Sequence, residues 1–68
     1  MNDKIDAIVD RTIQHSRELL DADEIEWATA RIGLERVGEA LAAEAPDHPA
    51  LDRLHAFIAE RERLGRRR

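Results

Sequence analysis

The sequence predicts an all-α fold of three helices, in which an antiparallel helical hairpin carries a third, shorter helix packed on it. Apolar residues recur every three or four positions through three segments, which is the period of amphipathic helices. The break Ala45-Pro46-Asp47-His48-Pro49 cannot continue a helix, because each proline lacks an amide donor and restricts the residue before it. With 43% hydrophobic and 38% charged residues, the chain is too apolar for a disordered protein. Its 68 residues allow one helical domain over 1–65, followed by a basic tail over 66–68.

The first predicted helix runs from about Asp3 to Leu20, with Asn2 as its N-cap. Thr12 and Ser16 fall within its apolar stripe, where their hydroxyls can bond to the backbone of the preceding turn and their small size lets a neighbouring helix approach. The apolar positions of this helix are Ile5, Ile8, Val9, Ile13, Leu19 and Leu20.

A helix start at Asp21 predicts the first break, since neither glycine nor proline marks it. Asp21 is the expected N-cap and Glu24 its capping-box partner, while Leu20 and Ile25 form a hydrophobic staple. The alternative is one long helix over 3–44, because the apolar phase continues across the join.

The second predicted helix, Asp21 to Glu44, has two apolar sides. A surface helix of a small monomer needs only one buried stripe, so a second stripe requires a second partner. This pattern predicts a protein that works by contact. The main stripe is Trp27, Ala30, Leu34, Val37 and Leu41, and the weaker one is Ile25, Ala28, Ile32 and Ala43.

Asp47 is the predicted N-cap of the third helix, which runs to about Leu64 and stops at Gly65. Its stripe is Leu51, Leu54, Phe57, Ile58 and Leu64. The thirteen residues Glu39 to Leu51 resemble the link between tetratricopeptide repeats. The Gly and Tyr of that repeat's first helix have no counterpart in 15–30, and a solenoid needs about three repeats. We therefore interpret this segment as a helix–proline–helix turn.

Charge is distributed unevenly along the chain. Residues 1–59 hold thirteen acidic and six basic side chains, a balance of −7, and residues 60–68 hold two and five, a balance of +3, which together give the net charge of −4. An acidic body repels phosphates and makes nucleic acid an unexpected partner. The chain has no cysteine, which fits a cytoplasmic protein, and no membrane partner is expected. The one basic cluster is Arg61, Arg63, Arg66, Arg67 and Arg68.

Ligand-like spacing occurs once, at His48, Asp52 and His55, which share one helix face and form a weak candidate for a divalent metal. The alternative is a solvated face on which Asp52 supports a neighbouring histidine. His15 borders the first stripe and is either a pH-sensitive or phosphate-accepting group or a half-buried ring. The acidic cluster Asp21, Asp23, Glu24 and Glu26 lacks calcium-loop spacing and is better explained by helix capping.

Contact residues are the remaining candidates. Trp27 suits either an interface or the core, and Gly33 and Gly38 each cost the helix about 1 kcal/mol. With no catalytic or cofactor motif, we expect a non-catalytic protein–protein interaction module, a homodimer without a cofactor. A nucleic-acid accessory protein using the arginine tail is the alternative, and a metal-binding protein a weaker one. The expected interface residues are Ile25, Trp27, Ile32, Gly33, Leu34, Val37 and Leu41.

Overall fold

Three helices form the part of the chain that the structure, a computed structural model, describes, which is residues 3–66. They are α1 (Lys4–Asp21), α2 (Trp27–Glu44) and α3 (Ala50–Arg66), and every pair of helices is in contact. The predicted all-α fold and the break between the first two helices are confirmed, so the single long helix is wrong. Within residues 3–66, no helix is long and apolar enough to span a membrane.

Helix α1 begins one residue later than predicted, because Asp3 rather than Asn2 is its N-cap. The Asp3 carboxylate accepts hydrogen bonds from the amides of Ile5 and Asp6, at 3.0 and 3.3 Å. These bonds satisfy two of the amide donors that the start of a helix leaves without a backbone partner.

Helix α1 ends in a Schellman motif, which the sequence analysis missed. The amide of Asp23 donates to the carbonyl of Leu20 at 3.1 Å, and the amide of Glu24 donates to Leu19 at 2.9 Å. Asp23 has a φ of 60°, the left-handed conformation that usually selects glycine. The predicted N-cap role of Asp21 is therefore wrong, since Asp21 is the last residue of α1.

Helix α2 starts at Trp27, six residues after the predicted cap. Glu26 is the N-cap, and it provides no side-chain cap hydrogen bond; its carbonyl accepts the amides of Thr29 and Ala30. The capping box of Asp21 and Glu24 is thus not used. Leu20 and Ile25 nevertheless line the same shallow cavity at this end of the bundle.

Helix α3 differs from its prediction at both ends. The amide of Ala50 donates to Nδ1 of His48 at 3.0 Å, so the ring of His48, and not Asp47, accepts a hydrogen bond at the helix start. At the other end α3 continues through Gly65 to Arg66. The predicted end of the helix at Leu64, with a stop at Gly65, therefore lies two residues before the observed end.

Helix α3 lies lengthwise along both other helices. It runs in the same direction as α1, since the contacts advance together along the two helices, from their starts to Arg17 of α1 and Phe57 of α3. It runs opposite to α2, since the start of α2 meets the end of α3. The contacts with α1 are Asp3 to His48, Asp6 and Asp10 to Arg53, and Arg17 to Phe57; those with α2 are Trp27 to Glu62 and Gly38 to Leu54.

The core is small and entirely apolar among the residues described. Its largest fully buried side chains are Val9, Leu34 and Leu54, one from each helix. Gly38 is buried as well, and lets Leu54 of α3 come close to the α2 backbone. The buried cluster is Val9, Leu34, Leu41, Ala50, Leu51, Leu54 and Phe57, with Ile5, Ile13, Trp27, Val37, Ala42 and Ile58 packed against it.

Candidate functional site

The expected interface residues of α2 separate into an inner and an outer set. Leu34 and Leu41 are 1% and 8% exposed, so they belong to the core and are not available to a partner. Trp27 and Val37 pack partly buried against that core. Ile32 is 55% exposed, and Gly33 is exposed beside it. Ile25 lies half-buried in the connection before α2.

Trp27 fastens the start of α2 to the end of α3. Its indole Nε1 donates to Oε1 of Glu62 at 3.0 Å, and Nη1 of Arg31 contacts both oxygens of the same carboxylate at 3.2 and 3.3 Å. Nε of Arg31 also donates to Glu35 at 3.2 Å. The hydrogen bonds and charges of Glu35 and Glu62 raise the pKa of the Arg31 guanidinium. This network explains Trp27 as an intrachain anchor.

The weak metal candidate His48, Asp52 and His55 is not assembled into a site. Both ring nitrogens of His48 are occupied, Nδ1 by the amide of Ala50 and Nε2 by Oδ2 of Asp3 at 2.6 Å. His55 lines the groove between α2 and α3, whereas Asp52 is exposed. Across residues 3–66 no group of three or more histidine or acidic side chains is arranged to hold a metal ion.

The acidic cluster and His15 also have structural positions. Asp21 closes α1, and Asp23, Glu24 and Glu26 lie in the connection to α2. They belong to the Schellman motif and the backbone cap of α2 rather than to a calcium loop. His15 is exposed and lines the groove between α1 and α2.

Asp3 and His48 form a clasp that joins the starts of α1 and α3. One oxygen of Asp3 caps α1, and the other accepts a hydrogen bond from Nε2 of His48. Because Nδ1 of His48 accepts the Ala50 amide, the ring proton of the neutral imidazole resides on Nε2. The two residues are 45 positions apart in the sequence, so no local spacing could have revealed the clasp.

The clasp predicts a loss of stability in acid. The hydrogen bond from His48, followed by the amides of Asp6 and Ile5, lowers the pKa of Asp3 below its ordinary 3.8. A lowered folded-state pKa means that the contribution of Asp3 is complete above pH 3.8 and disappears as the pH falls through the folded-state value. In urea titrations we expect Asp3→Asn to be less stable than the wild type near pH 7, and we expect this difference to shrink as the pH falls below 3.8.

The variant His48→Ala is the control for this prediction, because it removes the largest cause of the lowered pKa. In that background Asp3→Asn should cost less stability near neutral pH than it does alone. An Asp3→Asn penalty that is the same in acid as at neutral pH would contradict the clasp.

The basic residues near the C-terminus are spread over different surroundings. Arg63 contacts Glu60 one turn earlier, at 3.1 Å, and its side chain is 73% exposed. Arg61 is half-buried and lines shallow cavities at the end of the bundle. Arg66 ends α3, while Arg67 and Arg68, the rest of the predicted basic tail, lie outside the described residues.

A cation that the sequence analysis did not single out, Arg53, bridges two turns of α1. Its Nη2 donates to Asp6 at 2.7 Å and to Asp10 at 2.8 Å, and these hydrogen bonds to the two carboxylates raise the pKa of the guanidinium. The guanidinium of Arg17 lies 5.7 Å from the centroid of the Phe57 ring. These contacts hold α1 against α3, but exposed pairs of this kind contribute little stability individually.

Comparisons with protein-family models, with curated proteins and with solved structures found no match for this chain. The geometry itself therefore carries the functional argument. Its most distinctive outward feature is the side of α2 turned away from the core, where Ile32 is the most exposed of the large hydrophobic residues described. Such a surface can make contacts with another protein.

Proposed function

We propose that this chain is a small, non-catalytic module that functions by binding protein, most simply as a two-fold homodimer. The observation that carries the proposal is the side of α2 opposite its buried stripe. Ile32 is 55% exposed there, and Ala28 and Ala43 are exposed on the same side. These three residues belong to the second apolar stripe that the sequence predicts, and the other two helices leave them exposed. Its fourth residue, Ile25, lies half-buried in the connection before α2.

The small core supports association. Among the residues that the structure describes, eight hydrophobic residues are buried, and two of them are alanines, Ala30 and Ala50. A chain of 68 residues buries only about 60% of its unfolded surface, and such small domains gain stability from a partner. Ile8 and Leu64, at 42% and 48% exposed, add apolar surface on the other helices.

The proposal includes two finer points. We infer that α1 and α2 form the predicted antiparallel hairpin, because α1 runs with α3 and α2 runs against it. We also place the protein in the cytoplasm, which its lack of cysteine favours.

The test is the molar mass in solution, measured by sedimentation equilibrium from low micromolar to millimolar concentration. A dimer has twice the 7.8 kDa mass of the chain. We expect the average mass to rise towards that value with concentration, with the helical circular dichroism signal unchanged. A mass that stays at 7.8 kDa over the whole range, with a cooperative thermal melt, would reject the homodimer.

A further inference from the structure

We propose that two copies of the chain pack through a self-complementary seam on α2, with the two α2 helices antiparallel. The seam consists of Ile32, Arg36, Glu39 and Ala43. This inference rests on the homodimer proposed above and specifies its surface, its orientation and its residue pairs.

The four seam residues lie on one exposed stripe. Their spacing of four, three and four positions is that of a seam at which one helix meets another. All four are exposed, whereas Leu34 and Leu41, on the opposite side of α2, are buried. The seam is therefore available without any rearrangement of the core.

The order of the seam residues is complementary to itself when reversed. If a two-fold axis crosses α2 between Val37 and Gly38, Ile32 lies opposite the partner's Ala43, and Arg36 lies opposite the partner's Glu39. Symmetry then generates each pair twice. A large side chain meets a small one, and a cation meets an anion.

A parallel arrangement lacks this complementarity. In register, it would set Arg36 against the partner's Arg36 and Glu39 against the partner's Glu39, and such like-charge pairs are unfavourable. The charge order along α2 therefore selects the antiparallel dimer.

The charges of the seam are free to pair with a second copy. Within residues 3–66, neither Arg36 nor Glu39 forms an ion pair, although Arg31, Arg53 and Arg63 all do. This charge complementarity is the reason to assign a second copy of the chain, rather than an unrelated helix, to this face.

A charge swap tests the seam. In sedimentation equilibrium, Arg36→Glu and Glu39→Arg should each raise the dimer dissociation constant about tenfold or more, because each replaces two attractive pairs with two repulsive ones. The double variant Arg36→Glu with Glu39→Arg exchanges the charges and should return the constant to within about threefold of the wild type. Higher salt should reduce all these differences.

The control is Arg63→Glu, which changes the net charge by the same amount as Arg36→Glu does. It does so on α3, where the side chain of Arg63 is exposed. It should leave the dissociation constant within about twofold of the wild type. Circular dichroism should confirm that every variant keeps the helical fold.

Disulfide crosslinking tests the orientation, since the chain has no cysteine of its own. The double variant Ile32→Cys with Ala43→Cys should form a covalent dimer under mild oxidation. Either single variant should not, because the two copies of one position lie eleven residues, about 16 Å, apart along the antiparallel helices. Disulfides require Cα atoms within about 7 Å.

Three outcomes would contradict the proposed seam, and each rejects a different part of the proposal. A wild-type chain that stays monomeric rejects both the seam and the homodimer. If the chain dimerises and neither Arg36→Glu nor Glu39→Arg changes the dissociation constant, the homodimer stands but its interface lies on another surface. Efficient crosslinking of Ile32→Cys alone indicates a parallel dimer and rejects the antiparallel register.

Discussion

The variant Leu34→Ala is expected to lower the free energy of unfolding by about 2–5 kcal/mol. Leu34 is 1% exposed and belongs to the cluster in which all three helices meet. Truncation removes buried methyl groups and leaves a cavity that the neighbouring helices can close only in part. Urea titration followed by circular dichroism, at one fixed protein concentration, measures the loss.

The matched control is Ile32→Ala, two residues away on the same helix. Ile32 is 55% exposed, so its truncation removes few contacts within the chain and should change the free energy of unfolding by less than about 0.5 kcal/mol at a concentration where the chain is monomeric. Leu34→Met, which conserves volume, should cost under about 1.5 kcal/mol and remains measurable if Leu34→Ala unfolds the chain. A loss below about 1 kcal/mol for Leu34→Ala would contradict the assignment of this stripe to the core.

The apolar period was sufficient to predict the helices and their inner faces. The main stripe of α2 faces the core as expected, with Leu34 and Leu41 buried. The period works because burial repeats with every helical turn, which leaves a regular signal in the sequence. Gly38 interrupts that signal, since its burial depends on how close Leu54 of α3 approaches.

Helix ends are less predictable than helix faces, because residues of different types can cap the end of a helix. Asp23 occupies a left-handed position at which glycine is usual. Without that glycine, the acidic residues at the end of α1 resemble the start of a new helix. His48 accepts an amide where a carboxylate was expected. Both choices depend on backbone geometry that the residue types alone do not specify.

The candidate site was predictable only in part. The sequence identified α2 as two-sided, and Ile32 is exposed as that pattern requires. The same apolar signal assigned Leu34 and Leu41 to an interface, because hydrophobic spacing does not distinguish a surface covered within the chain from one covered by a partner. The Asp3–His48 clasp and the Trp27–Glu62 bond join residues distant in sequence, so they arise only from the packing of the helices.

Glycine substitutions in α2 are expected to have opposite effects at two positions five residues apart. A Cβ atom at Gly33 would meet nothing within 4 Å, whereas one at Gly38 would lie 3.3 Å from Cδ2 of Leu54. Gly33→Ala should therefore raise the free energy of unfolding by about 0.5–1 kcal/mol, because alanine favours the helix and restricts the unfolded chain. At Gly38 the same gain is opposed by contact with Leu54, whose side chain is fully buried.

Larger side chains should widen the difference between these two positions. Gly38→Val forces α2 and α3 apart and should cost about 1–3 kcal/mol, as overpacking of a close-packed core does. A Cβ atom at Gly33 has no neighbour within 4 Å, so Gly33→Val should retain a few tenths of a kcal/mol of the helix-propensity gain. Thermal and urea unfolding of the four variants, at a concentration where the wild type is monomeric, measures whether each substitution raises or lowers the free energy of unfolding. A stability gain for Gly38→Val equal to that of Gly33→Val would mean that α3 does not approach α2 at Gly38, and the helix packing described above would be wrong.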